Sequence, residues 1–208
     1  MNDVNYNTVL LTATAAAMFK RVGIKSVSMD DIAREMGASK KTLYQLVGNK
    51  EDLVGMVMEA DFKEDVCRFI ENHDRSTDAI DEFLRNSRYF IRQMREISPA
   101  ALHDLQKYYP AIWKGMMQSH HEEFRIKLSE NLERGMEEGL YRNNIDPNVV
   151  ATLYSGMMAM VIDRKVFPAY DRPLSDIVRQ MTEYHFYGIV NQFGRERLEK
   201  YLNEEALE

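Results

Sequence analysis

Apolar residues recur at intervals of three and four along almost the whole chain, which is the spacing of amphipathic helices. Alternating runs of β-branched and aromatic residues bounded by turn dipeptides, which would indicate strands, are nearly absent. Segment 5–22 illustrates the pattern, since Val9, Ala13 and Ala17 share one side of a helix. The sequence therefore predicts an all-α fold of about nine to ten helices.

Glycine, proline and serine mark where these helices begin and end. Pro99, Pro110, Pro147 and Pro173 stand at predicted helix starts, where a missing N–H is tolerated. Gly23, Gly37 and Gly139 follow predicted helices, and Ser28 and Ser39 precede two short ones. The predicted helices are residues 5–22, 29–36, 40–46, 50–72, 77–97, 99–107, 110–138, 147–166, 173–193 and 195–203.

Length and cysteine content restrict the class of protein. A chain of 208 residues can bury a core without disulfides or a structural metal, and its one cysteine cannot form an intrachain bridge. We expect Cys67 to be buried or structural on its helix. Since no apolar run approaches membrane-spanning length and the first residues lack signal-peptide features, we expect a soluble, cytoplasmic protein without a membrane partner.

Charge is distributed unevenly between the first 50 residues and the rest. The whole chain has a formal net charge of −6, but residues 1–50 carry seven bases and four acids. The remaining 158 residues carry 20 bases and 29 acids. A small basic segment ahead of a larger acidic one is a modest indication of a nucleic-acid-binding head, and other features have to support it.

The two short helices at 29–36 and 40–46 are joined only by Gly37, Ala38 and Ser39. Two short helices with a glycine-containing turn of three residues are typical of a helix-turn-helix, whose second helix enters the major groove of DNA.

Residues 9–57 contain an ordered set of short motifs. They are Ala13 to Phe19, Gly23, Ser28-Met29-Asp30-Asp31-Ile32-Ala33, Gly37-Ala38-Ser39-Lys40-Lys41-Thr42-Leu43-Tyr44 and Asn49-Lys50-Glu51-Asp52-Leu53. In these motifs and their order, the segment resembles the amino-terminal DNA-binding domain of the TetR family of bacterial transcriptional regulators. At Val47 the family usually has an aromatic residue, most often Phe, and Leu46 also replaces a frequent aromatic, so we expect the third helix to be repacked against the first.

The polar residues of the third helix suit base and phosphate recognition. Gln45 can hydrogen bond adenine in a bidentate fashion, lysine can bond guanine, and the Thr42 methyl can meet thymine. The resemblance implies that Thr42 and Lys41 lie near bases and that Tyr44, Ser28 and Lys50 hold phosphates. The predicted DNA-binding residues are Ser28, Ser39, Lys40, Lys41, Thr42, Tyr44, Gln45 and Lys50.

One such head covers too little of the groove for a tight specific site, so we expect a homodimer on a palindromic operator. We divide the chain into a DNA-binding domain at 1–49, a connecting helix at 50–72 and a ligand-binding and dimerisation domain at 73–208. The two long helices at 147–166 and 173–193 are apolar over more than one stripe. The predicted interface residues are Leu153, Tyr154, Met157, Met158, Val161, Ile177, Val178, Met181, His185 and Ile189.

Aromatic, methionine and histidine residues gather in the middle helices, which suits a small hydrophobic or aromatic ligand. The resemblance implies that such an effector moves the connecting helix and releases a repressor from its operator. The predicted ligand-binding residues are Met94, His103, Tyr108, Trp113, Met116, Met117, His120 and Phe124.

Two other readings remain open at this point. A DNA-binding regulator or activator without a ligand would use the same head. A metal-binding or enzymatic helical protein could use His103, His120 and His121 with nearby glutamates, but the chain has no His-Glu-x-x-His motif, no cysteine pair and no Gly-x-Ser-x-Gly motif. We therefore predict no catalytic residues, no metal and no cofactor.

Overall fold

The chain folds into helices throughout the part that its structure, a computed structural model, describes: residues 3–162, 166–167 and 172–205. Within these residues the only strand-like pairing is one bridge between Tyr141 and Val190. The all-α prediction is confirmed. The ten helices are α1 (Asp3–Val22), α2 (Met29–Glu35), α3 (Lys40–Leu46), α4 (Lys50–Arg75), α5 (Ala79–Glu96), α6 (Pro99–Tyr108), α7 (Pro110–Glu137), α8 (Pro147–Ile162), α9 (Leu174–Ile189) and α10 (Gln192–Glu205).

The local signals at the helix ends act as predicted. Gly37 has a φ of +64°, which allows the chain to turn sharply from α2 towards α3. Pro99 occupies the first turn of α6, and Ser98 caps that helix by accepting a hydrogen bond from the N–H of Ala101.

The end of α9 and the start of α10 differ from the prediction. A helix was expected to continue to residue 193, but α9 stops at Ile189 and α10 begins at Gln192. The reason is a long-range pairing: the N–H of Arg142 donates to the Ile189 carbonyl at 2.9 Å, and the N–H of Asn191 donates to the Leu140 carbonyl at 3.0 Å. Extended backbone at this point therefore replaces helix.

The end of α8 differs too. The structure ends α8 at Ile162, and Val166, predicted as its last residue, lies in a turn. Residues 163–165 of the predicted helix lie outside the described residues.

Contacts divide the chain into two compact units. The first unit runs to Asp65 and also takes in Glu96–Gln118; the second comprises Val66–Arg95 and the chain from Ser119 onward. The first unit thus contains α1, α2 and α3 together with all of α6.

The first unit has its own apolar core, built by α1 to α4 and α6. Its fully buried side chains include Leu11, Ile32, Leu43 and Leu53. Leu105 of α6 belongs to the same buried cluster. A buried carboxylate fastens α6 to the turn after α1, because Asp104 Oδ2 accepts a hydrogen bond from the Lys25 N–H at 2.7 Å.

The second unit is centred on a buried tyrosine. Tyr141 is 1% exposed, and its hydroxyl donates to Asn131 Oδ1 at 3.2 Å. Asn131 Nδ2 in turn donates to the Ala79 carbonyl at 2.9 Å, so α5 and α7 are joined through one buried amide. The Tyr141 ring lies directly against the backbone of α7 at Gly135.

None of the described helices is both long enough and apolar enough to cross a membrane. The expectation that Cys67 is buried is wrong, since its side chain is exposed on α4.

Candidate functional site

The short helix α3 buries one side and exposes the other. Leu43 is 0% exposed and Val47, just after the helix, is 5% exposed, so both anchor α3 in the first unit's core. Lys40, Lys41, Tyr44 and Gln45 are all exposed and Thr42 is half-buried. A polar face of this kind on the second helix of a helix-turn-helix is the surface that reads base edges.

Two serine caps hold the ends of the turn. The Thr42 N–H donates to Ser39 Oγ at 3.0 Å, and the hydroxyls of these two residues lie 2.8 Å apart in a further hydrogen bond. At the start of α2, the Asp31 N–H donates to Ser28 Oγ while the Ser28 N–H donates to Asp31 Oδ2, which completes the predicted capping box. The hydrogen bonds from Ser28 lower the pKa of Asp31.

Lys50 braces the head from the first turn of α4. Its Nζ donates to the Ile24 carbonyl at 2.6 Å, and partial burial lowers the pKa of this lysine. An ammonium has three N–H donors, so the contact with Ile24 leaves donors for a phosphate. The resemblance implies only a phosphate contact for Lys50, because nothing in the local sequence pattern indicates a contact with a residue 26 positions away.

Lys40 has a partner that sequence reasoning missed. Its Nζ lies 2.8 Å from Asp30 Oδ1 on α2, with both side chains more than half exposed. The hydrogen bond with Asp30 raises the pKa of Lys40. A DNA phosphate would have to compete with this carboxylate for the lysine.

We expect Asp30→Asn to strengthen DNA binding by about two- to fivefold at 0.1 M salt, because it frees Lys40 and removes a negative charge beside the DNA-facing helix. Fluorescence anisotropy with a labelled duplex measures the change. Glu35→Gln, an exposed acid on α2, is the matched control. If both variants gained the same DNA affinity, the cause would be the loss of one negative charge on α2, and the release of Lys40 from Asp30 would not be responsible.

A small cavity lies within the second unit and opens partly to solvent. Its wall is aromatic: the ring centroids of Phe69 and Phe90 are 5.6 Å apart, and those of Phe90 and Phe124 are also 5.6 Å apart. The lining residues are Phe69, Phe83, Asn86, Ser87, Phe90, Phe124, Lys127, Leu128, Asn131, Tyr154, Met158 and Val178.

Of the predicted ligand-binding residues, only Phe124 lines this cavity. Trp113 and Met116 instead pack against the core of the first unit, and His103 is exposed. The Tyr108 hydroxyl accepts a hydrogen bond from Lys25 Nζ at 3.1 Å, also in the first unit. Met94, Met117 and His120 are half-buried and do not belong to the lining.

The lining residues that sequence reasoning missed come from α4, α5, α7, α8 and α9. Phe69, Phe83 and Phe90 each occupy a position that an ordinary core residue could fill. Their meeting point depends on packing between distant helices, so no local signal could have found it.

His185 lies behind the cavity wall. Its ring stacks on Phe83 at a centroid distance of 5.4 Å and lies 4.3 Å from the ring of Tyr154. It is 6% exposed, and Nε2 has no hydrogen-bond partner among the described residues. Burial lowers the pKa of His185 to about 4.

We expect His185→Phe to reduce the acid sensitivity of the fold. The folded-state pKa of about 4 lies below the ordinary value of 6.5, so the unfolded state binds the proton more tightly. Above pH 6.5 this histidine is neutral in both states, and it costs the native chain no stability. As the pH falls from 6.5 towards 4, the free energy of unfolding decreases by about 2–3 kcal/mol, because only the unfolded state takes up the proton readily.

Urea denaturation at pH 7 and pH 4.5 measures this loss, and the variant should lose less stability than the native chain. His121→Phe, on a half-buried histidine of α7, is the control. An unchanged difference between the two pH values in His185→Phe would contradict a buried neutral imidazole.

The predicted dimer residues fall into two groups. Tyr154, Val161, Val178, His185 and Ile189 are buried within the single chain, whereas Met157, Met158, Ile177 and Met181 are half-buried and Leu153 is 63% exposed. Apolar surface is nevertheless abundant on α8 and α9. Its exposed members are Val149, Leu153, Met160, Tyr184 and Tyr187.

In the part of the chain that the structure describes, no three His, Cys, Asp or Glu side chains are grouped to hold a metal ion.

The amino-terminal helices of the first unit, from within α1 to the start of α4, are similar to a known protein family. Residues 11–57 match the sequence profile described as "Bacterial regulatory proteins, tetR family". The HTH-type transcriptional regulator YvaF of Bacillus subtilis (strain 168) is 24% identical over 182 residues, covering 86% of this chain and 93% of that protein.

Two solved structures share the fold. A transcriptional regulator from Cytophaga hutchinsonii superimposes with a TM-score of 0.74 at 16% identity, covering 88% of this chain and 97% of that one. A transcriptional regulator from Saccharomonospora viridis, solved in complex with choline, gives a TM-score of 0.63 at 16% identity over 90% of this chain and all of that one.

Proposed function

Because the chain is a DNA-binding transcriptional regulator of the TetR family, we propose that it is a homodimeric repressor that a small molecule releases from a palindromic operator. The observation that carries the DNA half of this proposal is the exposed polar face of α3 above a buried Leu43. Lys41, Thr42 and Gln45 contact bases, while Ser28, Ser39, Lys40, Tyr44 and Lys50 hold phosphates.

The surface of α8 and α9 supports a dimer. Val149, Leu153 and Met160 are 54%, 63% and 52% exposed and follow one another at helical spacing along α8. Tyr184 on α9 is 75% exposed. An apolar strip of this kind on two neighbouring helices is typical of a surface that a second subunit covers.

The cavity supports a ligand. Its aromatic wall and few polar groups match the usual lining of small-molecule sites. A small molecule, choline, is bound in one protein of the same fold. Phe69 belongs to α4, the helix that begins at Lys50 in the head, so a ligand beside Phe69 can bias the position of that helix.

Selection of bound sequences from a random DNA pool tests the proposal. We expect the selected DNA sequence to have two-fold symmetry and to be bound far more tightly than random DNA. A single unrepeated motif would contradict the homodimeric site, and a folded protein that enriches nothing would contradict sequence-specific binding.

We expect Lys50→Met to weaken binding to every DNA sequence alike and to lower the slope of log affinity against log salt by about one. The loss follows from one phosphate contact fewer, since phosphate contacts carry no base information. Because Lys50 also braces the Ile24 carbonyl, thermal denaturation of the variant must accompany the titrations. Weaker binding with an unchanged salt slope would show that Lys50 supports only the turn.

A further inference from the structure

We propose that Asp104 of α6, a residue outside the helix-turn-helix, positions Lys50 for its contact with a DNA phosphate. Asp104 acts through a single peptide group, the one that joins Ile24 and Lys25 in the turn before α2. The inference rests on the proposed function, since it takes the phosphate contact of Lys50 from there. It adds a positioning residue that the DNA-binding motif itself does not contain.

The peptide group between Ile24 and Lys25 is held at both ends. Its carbonyl, that of Ile24, accepts a hydrogen bond from Lys50 Nζ at 2.6 Å. Its N–H, that of Lys25, donates to Asp104 Oδ2 at 2.7 Å. The carbonyl and the N–H of a trans peptide group lie in one plane and point in opposite directions, so a bond at one end fixes the direction of the other. Lys50 on α4 and Asp104 on α6 are therefore coupled through one rigid unit.

Ile24 and Asp104 are both shielded from water. They are 2% and 7% exposed, and Lys50 is half-buried. A hydrogen bond to a carboxylate is stronger than one to a neutral acceptor, and it strengthens further where water is excluded. Burial lowers the pKa of Lys50, and the negative charge of Asp104 opposes this shift. The two side chains are thus close enough to interact, in addition to the peptide group that they share.

The turn after α1 and the helix α6 lie close together over several residues. Gly23 has a φ of +90°, and a Cβ there would lie 3.0 Å from Asp104 Oδ2 and 3.1 Å from Ala100 Cβ. Lys25 makes a second contact with α6, from its Nζ to the Tyr108 hydroxyl at 3.1 Å. Asp104 and Tyr108 are four residues apart and so share one side of α6. That side of α6 packs against the turn and keeps Asp104 in place.

A braced lysine binds a phosphate at a lower entropic cost than an unbraced one. A lysine side chain loses rotamer freedom when it is fixed, and the contact with Ile24 fixes Lys50 before DNA binds. The ammonium has three donors, so two remain for the phosphate. The turn also leads into Ser28, the cap of α2 and a proposed phosphate contact. The peptide group held by Asp104 therefore adjoins two residues that are proposed to hold phosphates.

Substitutions at Asp104 and Lys50 test this inference on the full chain. Fluorescence anisotropy at pH 7 measures the affinity for a duplex of the selected sequence and for a mixed-sequence duplex over a range of salt concentrations. We expect Asp104→Ala to weaken binding about three- to tenfold at 0.1 M salt and to lower the salt slope by about one, as Lys50→Met does. In the Lys50→Met background, Asp104→Ala should change neither quantity further.

Two variants of α6 separate the hydrogen bond from the packing of this helix. Asp104→Asn keeps an oxygen that accepts from the Lys25 N–H, so it should keep the salt slope and an affinity within about twofold of the native chain. Tyr108→Phe removes the other contact of Lys25 with α6 but leaves the peptide group held, so it should also keep the slope. Circular dichroism establishes that each variant is folded during the titration. If Asp104→Ala is unfolded, Asp104→Ser replaces it, since its oxygen lies one bond closer to the backbone.

The outcomes separate this inference from the proposed function. An unchanged salt slope in Asp104→Ala, a loss that adds to that of Lys50→Met, or tighter DNA binding would each overturn the inference and leave the phosphate contact of Lys50 intact. An equally large loss in Asp104→Asn or in Tyr108→Phe would show that the held peptide group is not responsible and would overturn it too. If Lys50→Met itself leaves the slope unchanged, the phosphate contact of the proposed function fails, and the inference fails with it.

Discussion

Gly135→Ala should lower the free energy of unfolding by about 3 kcal/mol, at the upper end of the usual cost of overpacking a core. A methyl group at this position would lie within 2.8 Å of three atoms of the Tyr141 ring. The ring cannot easily retreat, because the hydroxyl of Tyr141 is held by Asn131 and the side chain is 1% exposed. Urea denaturation followed by circular dichroism measures the change.

Gly115→Ala is the control, since it makes the same substitution in the same helix where a Cβ meets no atom within 4 Å. Removing an open helical glycine should stabilise the chain by up to about 1 kcal/mol. Similar destabilisation in both variants would show that the helix tolerates no added Cβ and that the contact with Tyr141 is not responsible.

The second large effect is expected at Gln45. We expect Gln45→Ala to remove discrimination at one base-pair position of each half-site, which corresponds to about 1–3 kcal/mol, or roughly 5- to 150-fold, between the preferred base pair and its competitors. The exposed position of Gln45 on α3 is the reason, because its amide can make paired hydrogen bonds with adenine. Repeating the selection from a random pool with the variant measures the change in base preference.

Gln118→Ala, an exposed glutamine on α7 outside the helix-turn-helix, should leave the selected motif unchanged. An equal loss of affinity for all sequences in Gln45→Ala would show a phosphate contact and contradict base reading.

The helix-turn-helix could be predicted because its determinants are local. Ser28 with Asp31, Gly37 and Ser39 each specify a cap or a turn within a few residues, and each acts as expected. Long-range contacts explain the differences. α9 stops at Ile189 because the backbone at Leu140 and Arg142 pairs with residues some 50 positions later.

The candidate ligand site could be predicted only in kind. An aromatic lining was expected, and aromatic residues line the cavity, but Trp113 and Met116 pack in the first unit whereas Phe69 and Phe90 line the cavity in the second. Composition shows how many aromatic residues the chain contains. The packing of five helices decides which of these aromatic residues lie together. The contact partners of Lys40 and Lys50 could not be predicted either, because they depend on the geometry of the turns in the head.

The first unit is assembled from two separated stretches of chain, one running to Asp65 and the other spanning Glu96–Gln118. Consider a chimera in which a single crossover in α4 replaces the amino-terminal stretch by that of a relative. Leu105, Trp113 and Asp104 would then face the amino-terminal helices of the relative in place of their own. A working chimera therefore needs the second stretch to travel with the first, or to be adapted to it. In this architecture the residues of α3 that face DNA and the residues of α6 are expected to be inherited together.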